Sequence, residues 1–296
     1  MKSGFITIIG KPNVGKSTLL NQIMGEKFAI TSKKPQTTRN RIRCIYNYEG
    51  GQMIFIDTPG IHAPKHKLDE YMYKAALGTV SDVDLVLFLV EPGAPKEQDL
   101  KIIEKLPKTV PVFLIINKID SVKDDSLIST VGAYEQLFPF KEIIPVSAFE
   151  GMNMPELLDQ IDKYLPEGVP MFPQDMVTDQ PERQLAAEFI REKALYVLEQ
   201  EIPHGIAVVI DRFEERDDKD LLDIDATLIC ERDSHKPIII GKGGRTIKEI
   251  GSQARRELEH FFRIKVNLKL FVKVKSGWRD SDYLVRNFGY DKKTLD

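Results

Sequence analysis

The sequence contains little cysteine and no long apolar run. Its two cysteines, Cys44 and Cys230, lie far apart in the 296 residues and form neither a Cys-x-x-Cys motif nor a metal-type spacing. This pattern does not indicate a metal site, and it suits a reducing cytosol without requiring one. No apolar stretch approaches the roughly 18 residues that a membrane-spanning helix needs, so we expect no such helix.

The beginning of the chain leaves no room for a secretory signal, because Met1 to Gly4 run directly into an apolar segment. We therefore expect a cytoplasmic protein. Apolar residues make up 42% and charged residues 29% of the sequence, as in a folded globular protein, and the length allows about two domains. Internal repeats and low-complexity tracts are not apparent.

The net charge of −3 hides an asymmetry along the chain. Segment 232–296 has 16 Lys and Arg against 8 Asp and Glu, a net charge of +8, which leaves −11 for the rest. A basic segment alone indicates a nucleic-acid partner only weakly, because charged runs are usually solvated faces. Its meaning depends on the motif that the segment contains.

The first half of the sequence alternates apolar segments of strand length with segments of helix length. This alternation predicts βαβ units and an α/β fold with a mostly parallel sheet. A ligand site is then expected where the carboxyl ends of the strands meet. The predicted strands are 5–9, 53–56, 85–90, 112–116 and 143–146.

The strand at 5–9 is followed by Gly10-Lys11-Pro12-Asn13-Val14-Gly15-Lys16-Ser17, which matches the phosphate-loop motif G-x-x-x-x-G-K-S. Glycines let the backbone curl around an anion, and a helix opening at the lysine adds the positive end of its dipole. In this motif the lysine contacts the β- and γ-phosphates and the serine hydroxyl ligates Mg²⁺. The residues predicted to bind a nucleotide here are Gly10, Asn13, Val14, Gly15, Lys16, Ser17 and Thr18.

Strand 53–56 ends in Asp57-Thr58-Pro59-Gly60. A carboxylate at this position can hold Mg²⁺, usually through water, and the Gly60 N–H can approach a γ-phosphate oxygen because no Cβ intervenes. We therefore predict that Asp57 and Gly60 sense the γ-phosphate.

Strand 112–116 leads into Asn117-Lys118-Ile119-Asp120. The Asp120 carboxylate can accept hydrogen bonds from both the N1–H and the exocyclic amine of guanine, a pair of donors that adenine does not offer. The Lys118 stem is expected to cover the base, and Asn117 to tie this loop to the phosphate loop. The segment therefore predicts a guanine nucleotide.

Taken in order, these segments resemble the nucleotide-binding boxes of translation-factor-type GTPases. The last box is Ser147-Ala148, after strand 143–146, where a backbone N–H can donate to guanine O6. The resemblance implies one more box, a Mg²⁺-binding threonine between the first helix and the second or third strand. Its candidate is Pro35-Gln36-Thr37-Thr38-Arg39, in which we assign Thr38 as the ligand and keep Thr37 as the alternative. The predicted metal ligands are therefore Ser17, Thr38 and Asp57.

The residue after Gly60 departs from the Ras-like pattern. Ras-like enzymes have a glutamine there that orients the attacking water, whereas this chain has Ile61. Because isoleucine cannot orient water, we expect slow intrinsic hydrolysis in which electrostatic stabilisation of the phosphates carries more of the rate. Asn13 resembles the asparagine of GTPases that K⁺ activates, and we predict that it recruits this cation. The predicted catalytic residues are Asn13, Lys16, Thr38 and Gly60.

The basic segment contains Gly241-Lys242-Gly243-Gly244 between two predicted helices. This sequence fits the G-x-x-G loop of KH domains, where the absence of side chains lets the backbone approach nucleic-acid phosphates. The predicted order of helix, strand, strand, helix, helix and strand is that of the type II variant; a glycine-rich turn between core helices is the alternative. Downstream, Trp278 and Phe288 either extend the binding surface or cap the domain. The predicted RNA contacts are Ile240, Gly241, Lys242, Gly243, Gly244, Arg245, Lys248, Arg255 and Arg256.

A P-loop GTPase domain joined by a short, proline-rich linker to one type II KH domain resembles the Era family of bacterial GTPases over essentially the whole chain. The predicted domains are a GTPase domain at 1–168, a linker at 169–184, an α+β KH domain at 185–276 and a C-terminal tail or helix at 277–296. The resemblance implies GTP or GDP with Mg²⁺, binding to the 3′ end of small-subunit ribosomal RNA in 30S subunit assembly, and peripheral contact with the inner face of the cell membrane. We expect a monomer that does not bind DNA. The alternatives are an RNA-binding scaffold that holds GTP with negligible turnover, and a P-loop kinase or ATPase.

Overall fold

The computed structural model describes residues 1–32, 34, 36–80, 82–217 and 219–291. Pro35, part of the predicted Mg²⁺-binding segment, and residues 292–296 of the predicted tail lie outside the described residues. Within these ranges the chain forms one sheet of six strands and one of three.

The larger sheet is mostly parallel, as the sequence predicts. Its strands are β1 (Lys2–Ile9), β2 (Ile42–Tyr48), β3 (Gly51–Asp57), β4 (Leu85–Val90), β5 (Val112–Ile116) and β6 (Glu142–Pro145), and their spatial order is β2-β3-β1-β4-β5-β6. All neighbouring pairs are parallel except β2 and β3, which are antiparallel. The α/β fold class is confirmed.

Helices cover both faces of this sheet, which is why β4 and β5 are apolar and buried along their whole length. The helices are α1 (Lys16–Met24), α2 (Lys67–Leu77), α3 (Glu97–Ile103), α4 (Asp124–Glu135) and α5 (Met154–Tyr164). Apolar side chains of α1 and α5 form the core on one face, and those of α2, α3 and α4 form the core on the other. The loops at the carboxyl ends of the strands are left at one edge of this three-layer arrangement.

The sequence prediction missed β2, although its residues at 42, 44, 46 and 48 are apolar or aromatic, pack against the core and alternate with Arg43, Ile45 and Asn47. As an edge strand, β2 would leave its outer backbone groups unpaired, and the proline-rich segment after α5 covers them. Ile45 N donates to Val177 O at 2.9 Å, and the Thr178 hydroxyl donates to Arg43 O at 2.6 Å. The segment between the two sheets therefore lies against β2.

The second sheet lies in the C-terminal half of the chain. The sheet and the helices packed with it are, in chain order, α6 (Glu182–Val197), β7 (Ala207–Glu215), β8 (Leu221–Cys230), α7 (His235–Ile240), α8 (Arg245–Phe262) and β9 (Lys265–Val274). β7 and β8 are antiparallel, and β8 and β9 are parallel. The predicted order of helix, strand, strand, helix, helix and strand is confirmed.

The C-terminal tail packs between the two halves of the molecule. It forms a short turn at Trp278–Asp280 and a helix, α9 (Asp282–Asn287). Trp278 is fully buried, and its indole N–H donates to Gly205 O at 2.9 Å. The indole belongs to a cluster that includes Tyr71 and Met72 of α2. Trp278 therefore caps the domain and does not extend the binding surface.

Among the described residues, none of the helices combines the length and the apolar composition that crossing a membrane requires.

Candidate functional site

The phosphate loop connects β1 to α1, and its glycines are tightly enclosed. Gly15 has a φ of +101°, and a Cβ built on it would lie 2.2 Å from Asn117 Nδ2. A Cβ on Gly10 would lie 2.6 Å from Leu89 O. The loop therefore needs glycine at both positions for space as well as for conformation.

Lys16, at the first turn of α1, points back into this loop. Its ammonium group donates to Gly10 O at 3.2 Å and to Lys11 O at 3.0 Å, and the residue is only 6% exposed. Burial lowers the pKa of Lys16 to about 8, although the nearby Asp57 carboxylate opposes the shift. The loop thus holds a buried cation whose remaining hydrogen-bonding capacity suits an anionic ligand.

Three oxygen-bearing side chains from separate segments meet beside Lys16. Ser17 Oγ lies 2.7 Å from Asp57 Oδ2 and 2.8 Å from Thr38 Oγ1, and Thr38 Oγ1 lies 3.3 Å from the same carboxylate oxygen. Asp57 is fully buried, which raises its pKa although Lys16 and these hydroxyls oppose the shift, and its Oδ1 has no hydrogen-bond partner among the described residues. A carboxylate and two hydroxyls are hard oxygen donors, so this cluster fits a Mg²⁺ ion.

The structure distinguishes between the two threonines of the predicted box. The Thr37 hydroxyl donates to Lys34 O at 2.7 Å, away from the cluster, whereas Thr38 faces Ser17 and Asp57. The geometry favours Thr38 as the metal ligand.

Gly60 lies against the phosphate loop, as expected for a γ-phosphate sensor. A Cβ on Gly60 would approach three atoms of Pro12 to 2.8 Å, and the next residue donates its backbone N–H to Gly10 O at 3.1 Å. That next residue is Ile61, which is 6% exposed and packs in the core. Its apolar side chain is therefore part of the core and offers no group that could orient water.

The predicted guanine loops lie next to the phosphate loop. Asn117 Nδ2 donates to Val14 O at 2.8 Å, so the expected link between the loops is present, and Lys118 Nζ donates to Asn13 O at 2.7 Å. The Ser147 hydroxyl donates to the Asp120 carboxylate, which holds that carboxylate in place.

One detail of the guanine loops bears on the prediction that a backbone N–H of Ser147-Ala148 donates to guanine O6. The Ser147 N–H donates to Met152 O at 3.3 Å, and the Ala148 N–H donates to Asn117 Oδ1 at 2.9 Å. In this structure each N–H already has a protein acceptor, so donation to a base requires sharing or a local rearrangement.

The phosphate loop, Thr38, Gly60 and the loop from Asn117 to Asp120 border one cavity of about 840 Å³. This volume falls in the range of small-molecule sites. The wall opposite the phosphate loop includes residues that sequence reasoning did not identify: Ile30, Phe149 and, from α6, Leu195 and Tyr196. The α6 residues lie about 180 positions from the phosphate loop, and no local motif marks them. Phe149 directly follows Ser147-Ala148, an adjacency that reasoning from sequence could have used, and in the structure it is 79% exposed.

The predicted RNA-binding loop has a different character from the phosphate loop. It connects α7 to α8, and Gly241, Gly243 and Gly244 have φ values of +75°, +62° and +77°. A Cβ on Gly243 or Gly244 would meet nothing within 4 Å, whereas one on Gly241 would lie 2.2 Å from Thr246 Oγ1. The loop thus presents open backbone to solvent.

Exposed basic side chains lie in this loop and along α8 after it. Lys242, Arg245, Lys248, Arg255 and Arg256 are all exposed, and Ile240 is half-buried. Ile238 is 52% exposed, and on β9 Phe271 is 50% exposed among exposed lysines. Exposed glycine backbone, cations and apolar side chains together form a surface that suits single-stranded nucleic acid.

Comparisons with known proteins agree with both halves of this description. The family model described as 50S ribosome-binding GTPase matches residues 5–118, and the KH domain model matches residues 201–279. GTPase Era of Alkaliphilus metalliredigens is 53% identical over 98% of this chain and 99% of the relative. The chain belongs to the Era family of GTPases. GTPase Era of Clostridium botulinum strain Okra is 51% identical, again over 98% of this chain and 99% of the relative.

Two solved structures of Era superpose on nearly the whole chain. One is a variant of Aquifex aeolicus Era bound to GDP and AlF₄⁻, and the other is Era in complex with MgGDPNP and nucleotides 1506–1542 of 16S ribosomal RNA. Each has a TM-score of 0.94 and 42% identity and covers 98% of this chain and 99% of its own. The P-loop GTPase domain and the KH domain that the sequence predicts are those of an Era GTPase.

Proposed function

We propose that this GTPase hydrolyses GTP with Mg²⁺ and uses its nucleotide state to control binding of the 3′ end of small-subunit ribosomal RNA during 30S subunit assembly. The observation that carries the proposal is the shared cavity, because the phosphate loop, Thr38, the loop from Asn117 to Asp120 and helix α6 of the KH domain all border it. Solved Era structures with MgGDPNP and with 16S ribosomal RNA support the same pairing of ligands.

In the nucleotide site, each residue has a role that its position suggests. Lys16 binds the β- and γ-phosphates, Gly60 donates its N–H to the γ-phosphate, and Asp120 selects guanine. Ser17, Thr38 and Asp57 hold Mg²⁺, which when bound neutralises charge on the phosphates. The remaining nucleotide contacts are Gly10, Asn13, Val14, Gly15, Thr18, Asn117, Lys118, Ser147 and Ala148.

Catalysis in this chain proceeds without a side chain at position 61 that can orient water. Because Ile61 is buried in the core, stabilisation of charge at the phosphates has to supply more of the rate. We assign part of that role to Asn13, which would hold K⁺, and the cation would supply positive charge to the phosphates. Faster phosphate release in potassium than in sodium buffer at equal ionic strength is the expected result, and equal rates would remove K⁺ from the scheme.

The KH domain grips single-stranded RNA through its glycine loop and the basic side chains around it. The open backbone of Gly241 to Gly244 faces the RNA phosphates, with Ile240 against the bases and Lys242, Arg245, Lys248, Arg255 and Arg256 supplying charge. We place the protein in the cytoplasm as a monomer with peripheral contact at the inner face of the membrane, and we expect no DNA partner.

A second function has one observation in its favour. With Ile61 buried, the chain could hold GTP as a structural ligand and act as an RNA-binding scaffold with negligible turnover. The two functions make different predictions about phosphate release.

The deciding experiment measures phosphate release from the full-length protein with saturating GTP, Mg²⁺ and a 16S ribosomal RNA 3′ fragment. Turnover that continues through many cycles, and that GTP but not ATP supports, is expected. Release of less than one phosphate per protein would favour the scaffold. Equal use of ATP would favour the kinase or ATPase alternative.

A further inference from the structure

Arg39 directly follows the proposed Mg²⁺ ligand Thr38 and extends into the KH half of the molecule. It is 1% exposed, and its guanidinium donates to Ile206 O at 2.6 Å and to His204 O at 3.0 Å. Both acceptors lie just before β7. The backbone on the C-terminal side of Thr38 is therefore fastened to the KH domain.

The tail adds to the same anchor. The Arg39 guanidinium lies 5.8 Å from the ring centroids of both Trp278 and Tyr290, and its Nη1 is 3.3 Å from the Tyr290 hydroxyl. Contacts of a cation with aromatic faces are worth more when they are desolvated, as they are here. The tail that caps the KH domain thus also encloses Arg39.

A second buried arginine holds the other side of Thr38. Arg191 of α6 is fully buried, and its Nη2 donates to the backbone carbonyl of Thr37. Glu188, one turn earlier on α6, accepts a hydrogen bond from Arg191 Nε at 2.8 Å and fixes the guanidinium. Both sequence neighbours of Thr38 are therefore held by buried arginine contacts across the domain boundary.

The two guanidinium groups make this arrangement sensitive to small displacements. Arg39 is 1% exposed and Arg191 is fully buried, so both charges are removed from water. Arg39 Nε and Arg191 Nη1 have no hydrogen-bond acceptor among the described residues. A buried charge that loses its partner is strongly destabilising, so Arg39 depends on its backbone acceptors and Arg191 on Glu188 and Thr37 O.

We propose that Arg39 and Arg191 are positioning residues that hold Thr38 against Ser17 and Asp57, so that the KH domain and tail determine whether the threonine can serve the γ-phosphate site. This inference rests on the proposed function, because it assumes that Thr38 engages Mg²⁺ when GTP is bound. Linkage is reciprocal, so a nucleotide that draws Thr38 inward also stabilises the arginine contacts.

The test compares affinities of the full-length protein for a non-hydrolysable GTP analogue and for GDP, both with Mg²⁺. Arg191→Met removes the donor to Thr37 O. We expect the affinity for the GTP analogue to fall about tenfold, the effect of one charge-assisted hydrogen bond, and the affinity for GDP to change little. Arg191→Lys retains a donor and should restore part of the loss. The matched control is Arg183→Met on the same helix, since Arg183 is exposed and bonds only within the KH half, to Ile210 O at 3.0 Å.

Two further readouts separate positioning from general stability. The Mg²⁺ concentration for half-maximal hydrolysis should rise in Arg191→Met, and the difference in RNA affinity between GTP-analogue and GDP states should shrink. A thermal melt shows whether Arg191→Met is folded. If it is not, Arg39→Lys replaces it, because lysine keeps the charge but loses the paired donors of the guanidinium. Equal affinity changes for both nucleotides, or none, would overturn the proposal.

The outcomes distinguish the proposal from the function on which it rests. If the unaltered protein hydrolyses GTP and binds RNA more tightly in the GTP state while the arginine variants behave like Arg183→Met, the positioning role is wrong and the function stands. If the unaltered protein shows no turnover and no nucleotide-dependent RNA binding, the proposed function itself fails.

Discussion

The two glycine loops of this chain use glycine for different reasons. In the phosphate loop Gly15 and Gly10 are crowded, since a Cβ on either would collide with Asn117 or with the backbone of Leu89. In the KH loop Gly243 and Gly244 have positive φ values but open space around them. The first loop is enclosed by its own protein, and the second is open to a ligand. Substitutions in the two loops should therefore differ in size and in what they disrupt.

The largest effect is expected from Gly15→Ala. Its Cβ would lie 2.2 Å from Asn117 Nδ2 at a φ of +101°, so both the loop and its link to the guanine segment must shift. We expect nucleotide affinity to fall at least about 100-fold, the cost of a broken network plus backbone strain. Titration with a fluorescent GDP analogue measures this loss.

Gly132→Ala is the matched control for that change. Gly132 lies within α4 and has nothing within 4 Å of a built Cβ, so alanine should leave nucleotide affinity unchanged and raise stability slightly. Similar nucleotide affinities for the Gly15 and Gly132 variants would contradict the crowding argument.

The next largest effect is expected from Asp120→Asn. The asparagine amide would place a donor opposite the N1–H and the exocyclic amine of guanine. Loss of these two hydrogen bonds should lower GTP affinity about 100-fold. Xanthine carries a carbonyl in place of the amine, so xanthosine triphosphate should bind the variant better than GTP does. Competition between the two triphosphates measures the exchange, and a variant that still prefers GTP would show that Asp120 does not face the base.

Lys16 should make nucleotide binding depend on pH. Burial gives the free protein a Lys16 pKa of about 8, and the triphosphate favours the charged amine. Above pH 8 the Lys16 amine must therefore take up a proton when the nucleotide binds. Affinity for the GTP analogue should consequently fall about tenfold between pH 7 and pH 9. Calorimetry in two buffers of different ionisation enthalpy measures proton uptake at pH 8.5. No uptake and constant affinity would mean that Lys16 stays charged throughout.

The smallest effect on the nucleotide site is expected from Gly244→Ala. At a φ of +77° an alanine is strained by roughly 1 kcal/mol but meets no neighbour, so the domain should fold and GTP affinity should be unchanged. RNA affinity should fall several-fold, because the new methyl group lies where the phosphates approach. An RNA titration by fluorescence anisotropy provides the measurement, and unchanged RNA affinity would argue for a simple turn.

The local parts of both sites could be predicted from the sequence. Four short segments have residue types and spacings that indicate their ligands, and each lies next to helices or strands that the sequence predicts. They are the phosphate loop, Asp57 to Gly60, Asn117 to Asp120 and Gly241 to Gly244. Strand β2 was missed although its apolar residues at 42, 44, 46 and 48 recur with the period of a strand.

Contacts between distant segments could not be predicted. Tyr196 reaches the nucleotide cavity and Arg191 reaches Thr37 only because α6 packs against the GTPase half, and nothing in the local sequence of α6 reports that packing. The Ala148 N–H is a similar case, since its acceptor on Asn117 depends on how two loops meet. A motif indicates which ligand a segment can bind, whereas the hydrogen-bond partners of its residues depend on tertiary packing.

The coupling of nucleotide and RNA is the central claim, and one titration tests it most directly. Affinity of the full-length protein for a 16S ribosomal RNA 3′ fragment is measured with Mg²⁺ and either a non-hydrolysable GTP analogue or GDP, at one fixed salt concentration. The account predicts RNA binding at least about fivefold tighter in the GTP-analogue state, within the usual range of allosteric coupling. Equal RNA affinities in the two states would contradict it.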